Sequence, residues 1–178
     1  MMIRTFDISS TEVGFILGMI TIISSITGTI IAGSAVDYLR NRNYSDAPVR
    51  TAMIAVILAL PPIISLSFVQ TELGAWICIA MYLLFISSFA PLGLLAISGV
   101  STGSVKGQTA AIHAFLMMAF GLSLGPQLTA FFTDFVFVDP NLLINSVSLT
   151  GLIVLPISAL LFKLSLSRYR ESSESLLN

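Results

Sequence analysis

Charge is what this chain lacks. Asp, Glu, Lys and Arg make up 10% of its 178 residues, against 56% hydrophobic residues. A soluble domain carries about 25% charge. With so little charge, the apolar surface cannot all hide inside a 19.1 kDa globule, so lipid must solvate much of it. The net charge of −1 supplies no basic surface for nucleic acid. Cysteine is nearly absent: Cys78 stands alone inside an apolar run, which excludes an intramolecular disulfide and any CxxC metal or redox pair. One histidine, one cysteine and scattered carboxylates leave no clustered nucleophile, metal ligands or paired acids, so neither enzyme chemistry nor a cofactor is expected. Strict alternation of apolar and polar residues, the mark of an outer-membrane strand, is also missing.

What is present is five long apolar runs, at about Val13–Tyr38, Thr51–Val69, Leu73–Val100, Gln108–Phe137 and Leu142–Leu164. A spanning helix needs about 20 such residues. Helix is the expected form, because backbone in lipid must satisfy its own hydrogen bonds. The fold class is therefore an all-α polytopic membrane protein with five spans. Residues 1–12 form an external N-terminal segment, residues 13–164 the membrane domain, and residues 165–178 a disordered tail. The first run is too long for a signal-peptide core, and Asp7 and Glu12 precede it where basic residues belong, although Ala32–Ala35 resembles a cleavage site.

Basic residues fix the orientation. Arg40, Arg42 and Arg50 lie between the first two spans, Lys106 between the third and fourth, and Lys163, Arg168 and Arg170 at the end of the fifth. Only Arg4 lies on the other side. The sequence thus predicts a cytoplasmic C-terminus and an external N-terminus, most simply in a cell (inner) membrane. Trp76, at the outer start of the third span, suits an interfacial belt. The Asp139-Pro140-Asn141 turn separates the last two spans.

Small residues mark which helices pack. Gly14, Gly18, Thr21, Ser25, Gly28, Ala32 and Ala35 recur at steps of three and four along the first span, enough for a close helix neighbour. The fourth span carries Gly121 and Gly125, followed by Pro126, which is expected to bend it. On another face of that span, His113, Phe120, Gln127 and Asp134 recur every seven residues. The second and fifth spans show no small-residue seam, so they are expected at the lipid-facing periphery, with the first, third and fourth facing protein or water.

No Asp, Glu, Lys or Arg occupies the centre of a span, so no internal proton relay is expected. His113 is expected to be neutral and hydrogen-bonded to a neighbouring helix. Ser25, Ser88, His113, Gln127 and Asp134 are the candidate residues of a substrate cavity. Asp37 sits at the C-terminus of the first span, where the helix dipole is unfavourable to a carboxylate. It calls for a cation, such as Arg40 or Arg42, or for the N-terminus of another helix.

The stretch Gly33-Ser34-Ala35-Val36-Asp37-Tyr38-Leu39-Arg40-Asn41-Arg42 resembles the glycine–aspartate–basic loop signature of the major facilitator superfamily. In that family the loop follows the second helix of each six-helix half. Here Tyr38 stands where an arginine is usual, and the later glycine is missing. A longer stretch, Lys106-Gly107-Gln108, Gly121 to Pro126 and Thr133-Asp134, is similar to the eleventh helix of Spinster-like members. Lys106 replaces an arginine there, and Ser123 and Ala130 replace glycines. The resemblance covers nearly the whole chain as helices eight to twelve, a six-helix half without its first helix.

The resemblance implies a secondary transporter of a small organic or amphipathic solute, in which two halves rock about a central site. It implies that Asp37 latches a cytoplasmic gate and that Gln127 and Asp134 line the cavity. The partners it implies are the bilayer, the solute, the other six-helix half and the seventh helix. It also implies that the chain alone does not transport. The alternative reading is a stand-alone five-span interaction or assembly protein.

Overall fold

The computed structural model describes residues 2, 8–101, 103, 105–137 and 143–175. Among them all regular structure is helical. Five helices, at Ser10–Arg40, Ala47–Ser65, Glu72–Val100, Lys106–Phe137 and Leu143–Ser173, are each long and apolar enough to cross a membrane. The turn at Asp139-Pro140-Asn141 and the start of the fifth span at Leu142 lie outside the described residues.

The first span is α1 (Ser10–Arg40). It begins three residues before the apolar run because Ser9 caps it: its Oγ accepts the Glu12 N–H at 3.2 Å. Asn43 ends the helix region, adopting φ 62°, a left-handed conformation that asparagine tolerates better than most residues. The Tyr44 N–H then folds back onto the Leu39 carbonyl at 3.1 Å. The second span, α2 (Ala47–Ser65), starts four residues earlier than hydropathy indicates. Pro48 lies in its first turn, where a missing N–H costs no helix bond.

The third span is divided into α3 (Glu72–Ile86) and α4 (Phe89–Val100). Thr71 caps α3 by accepting the Gly74 N–H at 3.3 Å. The break at Ser87 and Ser88 falls just before Pro91. The fourth span comprises α5 (Lys106–Leu116), a wide π-helical segment (Met117–Leu122), α6 (Ser123–Phe131) and a second π segment (Phe132–Phe137). The first π segment ends one turn before Pro126, whose ring cannot sit against the carbonyl four residues back. The distortion expected after the glycines therefore lies around and before the proline. The fifth span, α7 (Leu143–Ser175), continues well past Leu164. The tail expected to be disordered is helical as far as Ser175.

One further expectation about burial is corrected. The second span, assigned to the periphery, is the most enclosed, and its contact with α7 is the most extensive between any two helices. Its seam is made of alanine rather than glycine: Ala52, Ala55 and Ala59 are buried, with Val56 and Ile63. Alanine also permits close helix approach, which matters in lipid, where packing rather than the hydrophobic effect drives helix association. The first and fourth spans, expected to face protein or water, leave most of their surface open within this chain.

The first span buries one stripe only, Ser24, Gly28, Ala32 and Val36, against the second and third spans. Hydroxyls knit this contact. Ser88 donates to the Gly28 carbonyl at 3.0 Å, and Ser24 donates to the Ala80 carbonyl at 3.2 Å. Gly28 is obligatory, because a Cβ there would collide with the Leu84 carbonyl.

Candidate functional site

Two regions carry polar chemistry: a charge cluster at the basic end of the bundle and the open faces of the first and fourth spans.

The cluster centres on Asp46, whose side chain is fully buried in the loop before α2. One helical turn later, Arg50 donates to both carboxylate oxygens, at 3.4 and 3.1 Å. Arg170, near the end of α7, donates to Asp46 Oδ2 at 2.8 Å. Burial pushes the Asp46 carboxyl up. The hydrogen bonds and charges of Arg50 and Arg170 outweigh that effect and hold it below its usual 3.8. Arg50 also lies 4.4 Å over the Tyr44 ring. Next to Arg170, the Tyr169 hydroxyl donates to the Ala96 carbonyl at 3.1 Å. These contacts join the loop, α4 and the last turns of α7. The signal available in the sequence was the Asp46–Arg50 spacing of four in the first turn of a helix. The partner at Arg170 lies 124 residues away, and no local pattern reveals it.

The predicted loop residues sit outside this cluster. Asp37 and Gly33 lie on the exposed side of α1, and no side chain or backbone atom comes within 4 Å of a Cβ built at Gly33. Among the described residues Asp37 makes no ion pair, and Arg42 stacks 4.6 Å over Tyr38 instead. Arg40 is exposed in the last turn of the same helix.

The predicted cavity residues are divided. Gln127 and Asp134 are exposed on the fourth span. Ser25 is half-buried beside Ser24 on α1, and Ser88 is buried with its hydroxyl on Gly28. His113 is half-buried, and its Nε2 is enclosed without a hydrogen-bond partner. This departs from the expectation of a histidine bonded to a neighbouring helix. Its imidazole instead packs flush against Gly93, where a Cβ would approach Nε2 to 2.6 Å. It faces an apolar cavity of about 140 Å³ between Leu92, Met117 and Phe162.

The packing glycines divide the same way. Gly14, Gly18, Gly121 and Gly125 each have open space where a Cβ would stand, and Pro126 is exposed beside them. Gly28 alone of that set is in tight contact. The first and fourth spans thus present small residues, together with Gln127, Asp134 and Asp37, on surfaces that no described residue covers.

No protein-family model, curated protein or solved structure matches the chain.

Proposed function

We propose that the chain is the C-terminal part of a secondary transporter, in which the open faces of the first and fourth spans line a path for a small organic or amphipathic solute. The observation that carries this reading is Gln127. It lies near the middle of the fourth span, on a helix with no buried residue in its central window, and it is exposed. An amide facing hydrocarbon has no partner, and leaving it so costs several kcal/mol. Water or another protein surface must face it. Asp134, about two turns beyond, is also exposed and needs the same environment.

In this reading the second and fifth spans form a rigid spine, and the third span ties the first to it. The spine keeps one geometry while the open faces meet the opposing half. Asp37, exposed beside Gly33, docks on that half at the basic end, and the Asp46 cluster holds the spine closed behind it. The 178-residue chain alone supplies one wall of the path and does not transport.

The test is water access at Gln127. In a Cys78→Ser background, Gln127→Cys is expected to react rapidly with a membrane-impermeant thiol reagent once the chain is assembled with its opposing half. Ile57→Cys, on an exposed apolar face of α2, is expected not to react. Equal protection at both positions would show that the fourth span faces lipid and would sink the reading. Solute uptake by liposomes holding only the 178-residue chain would sink the claim that it needs a partner.

A further inference from the structure

Hydroxyls on the fifth span have an ordinary way to be satisfied. Thr150 and Ser158 each donate to the carbonyl four residues earlier, at 2.8 Å. Ser148 does not. It is 7% exposed, and its Oγ is enclosed without a hydrogen-bond partner. A buried hydroxyl left unpaired in a native protein calls for an explanation, because its desolvation is not repaid. The groove that Ser148 lines supplies one.

This groove lies between α2 and α7 at the Trp76 end of the bundle and has a volume of about 400 Å³. Its polarity is graded along the helices. Ser67 stands just past the end of α2, and Asn145 lies in the first turn of α7, so both are at the membrane surface. Ser148 is one turn deeper, about 5 Å along the helix. Leu149 and Leu152 continue inward on the same face of α7, with Ile64 on the α2 wall. The groove thus passes from hydrogen-bonding groups to hydrocarbon over about 10 Å. Leu152 and Ile64 are 47% and 38% exposed, so it opens on the outside of the bundle. None of the described residues lining it is charged, so a phosphate finds no cation there. Water is a poor occupant of its deeper part, because a held water needs two to four polar partners and those walls are apolar.

The same gradient belongs to a glycerolipid at the edge of the hydrocarbon region: a headgroup, then neutral ester carbonyls, then acyl chains. An ester carbonyl accepts and does not donate, which suits an unpaired hydroxyl. We infer that the groove binds one diacyl glycerolipid from the leaflet at the Trp76 end. Ser148 Oγ donates to an ester carbonyl, and one acyl chain lies along Leu149 and Leu152. Ser67 and Asn145 flank the headgroup side. The inference requires that the chain span a bilayer; it does not depend on what is transported.

The test offers the full 178-residue chain, in mild detergent, two phosphatidylcholines with chains of equal length, one ester-linked and one ether-linked. Native mass spectrometry counts the lipid that stays bound. One diester lipid is expected per chain, retained about fivefold better than the diether lipid, which lacks the carbonyl. Ser148→Ala should lower diester retention to the diether level and leave the diether lipid unchanged. Leu149→Trp, which fills the groove, should release both lipids. Leu160→Trp, on an exposed face of the same helix, should release neither. Equal retention of the two lipids by the unaltered chain, a comparison that needs no variant to fold, would show that water satisfies Ser148 and overturns the inference. So does full retention by Leu149→Trp, which would place the lipid elsewhere, and so does a lipid-free dimer, which would make the groove a contact between copies.

Discussion

Replacing Asp46 or Arg170 tests the charge cluster most directly. Arg170→Ala removes one charge-assisted hydrogen bond of 2.8 Å. Its guanidinium is half-exposed and Arg50 remains on the carboxylate, so the expected loss is about 1–2 kcal/mol. Asp46→Ala removes the bonds to both arginines, but these are partly exposed and can hydrate. The expected loss is about 3 kcal/mol, at the low end for breaking a buried pair. Once Asp46 is gone, Arg170→Ala can no longer remove that bond. The double variant should therefore fall short of the sum of the two single losses by about 1 kcal/mol. Unfolding in mixed micelles, followed by the fluorescence of Trp76, the chain's one tryptophan, measures all three. Hydrogen exchange should accelerate at residues 165–173 in both single variants. Fully additive losses would refute a shared network. The pH dependence has a definite sign. The folded Asp46 carboxyl lies below 3.8, so its contribution is complete above that value and is lost as pH falls through the folded pKa. Arg170→Ala should cost the same at about pH 7 and pH 5, and its effect should shrink only in stronger acid.

Other substitutions separate tight contacts from open faces. Gly28→Ala should destabilise the chain by about 1–3 kcal/mol, because the first and third spans must separate, as thermal unfolding would measure. Gly18→Ala, with open space at its Cβ, should be neutral or stabilising by up to about 1 kcal/mol in the isolated chain. Gly93→Ala should displace the His113 ring and weaken the contact of α4 with α5, seen as a shifted imidazole resonance and a lower unfolding midpoint. Ser88→Ala should cost about 1 kcal/mol by leaving the break between α3 and α4 without its bond to Gly28, and faster hydrogen exchange there would register it.

The five spans were legible because a bilayer imposes length and apolarity on each helix separately. Their ends were misplaced where a cap or a polar continuation mattered: Ser9 and Pro48 begin helices before the apolar runs, and α7 runs past them. Burial was misjudged for the second span because glycine was taken as the sign of close packing. Ala52, Ala55 and Ala59 serve there, and alanine is too common for its spacing to stand out in the sequence. Gln127 and Asp134 stand out because polarity inside an apolar run is conspicuous, and both are exposed. Asp46 was missed because an acid in a basic loop looks like solvated surface until the fifth span folds over it.

The small residues of the first span show why a seam cannot be interpreted from spacing alone. Gly14, Gly18, Gly28 and Ala32 fall on one side of the helix, yet the bundle uses only the lower part of that side. At Gly28 the third span fills the space, with Ser24 and Ser88 fixing its depth. At Gly14 and Gly18 no described residue approaches. A single helix thus presents a closed contact at the basic end and an open one at the Trp76 end. Packing in lipid supplies no general pressure to cover small residues, because hydrocarbon solvates glycine and leucine alike. An open glycine pair persists at no hydrophobic cost, and it gains contact energy only when another helix arrives. On the proposed reading, that asymmetry lets the open wall meet and release an opposing half while the second and fifth spans behind it stay packed.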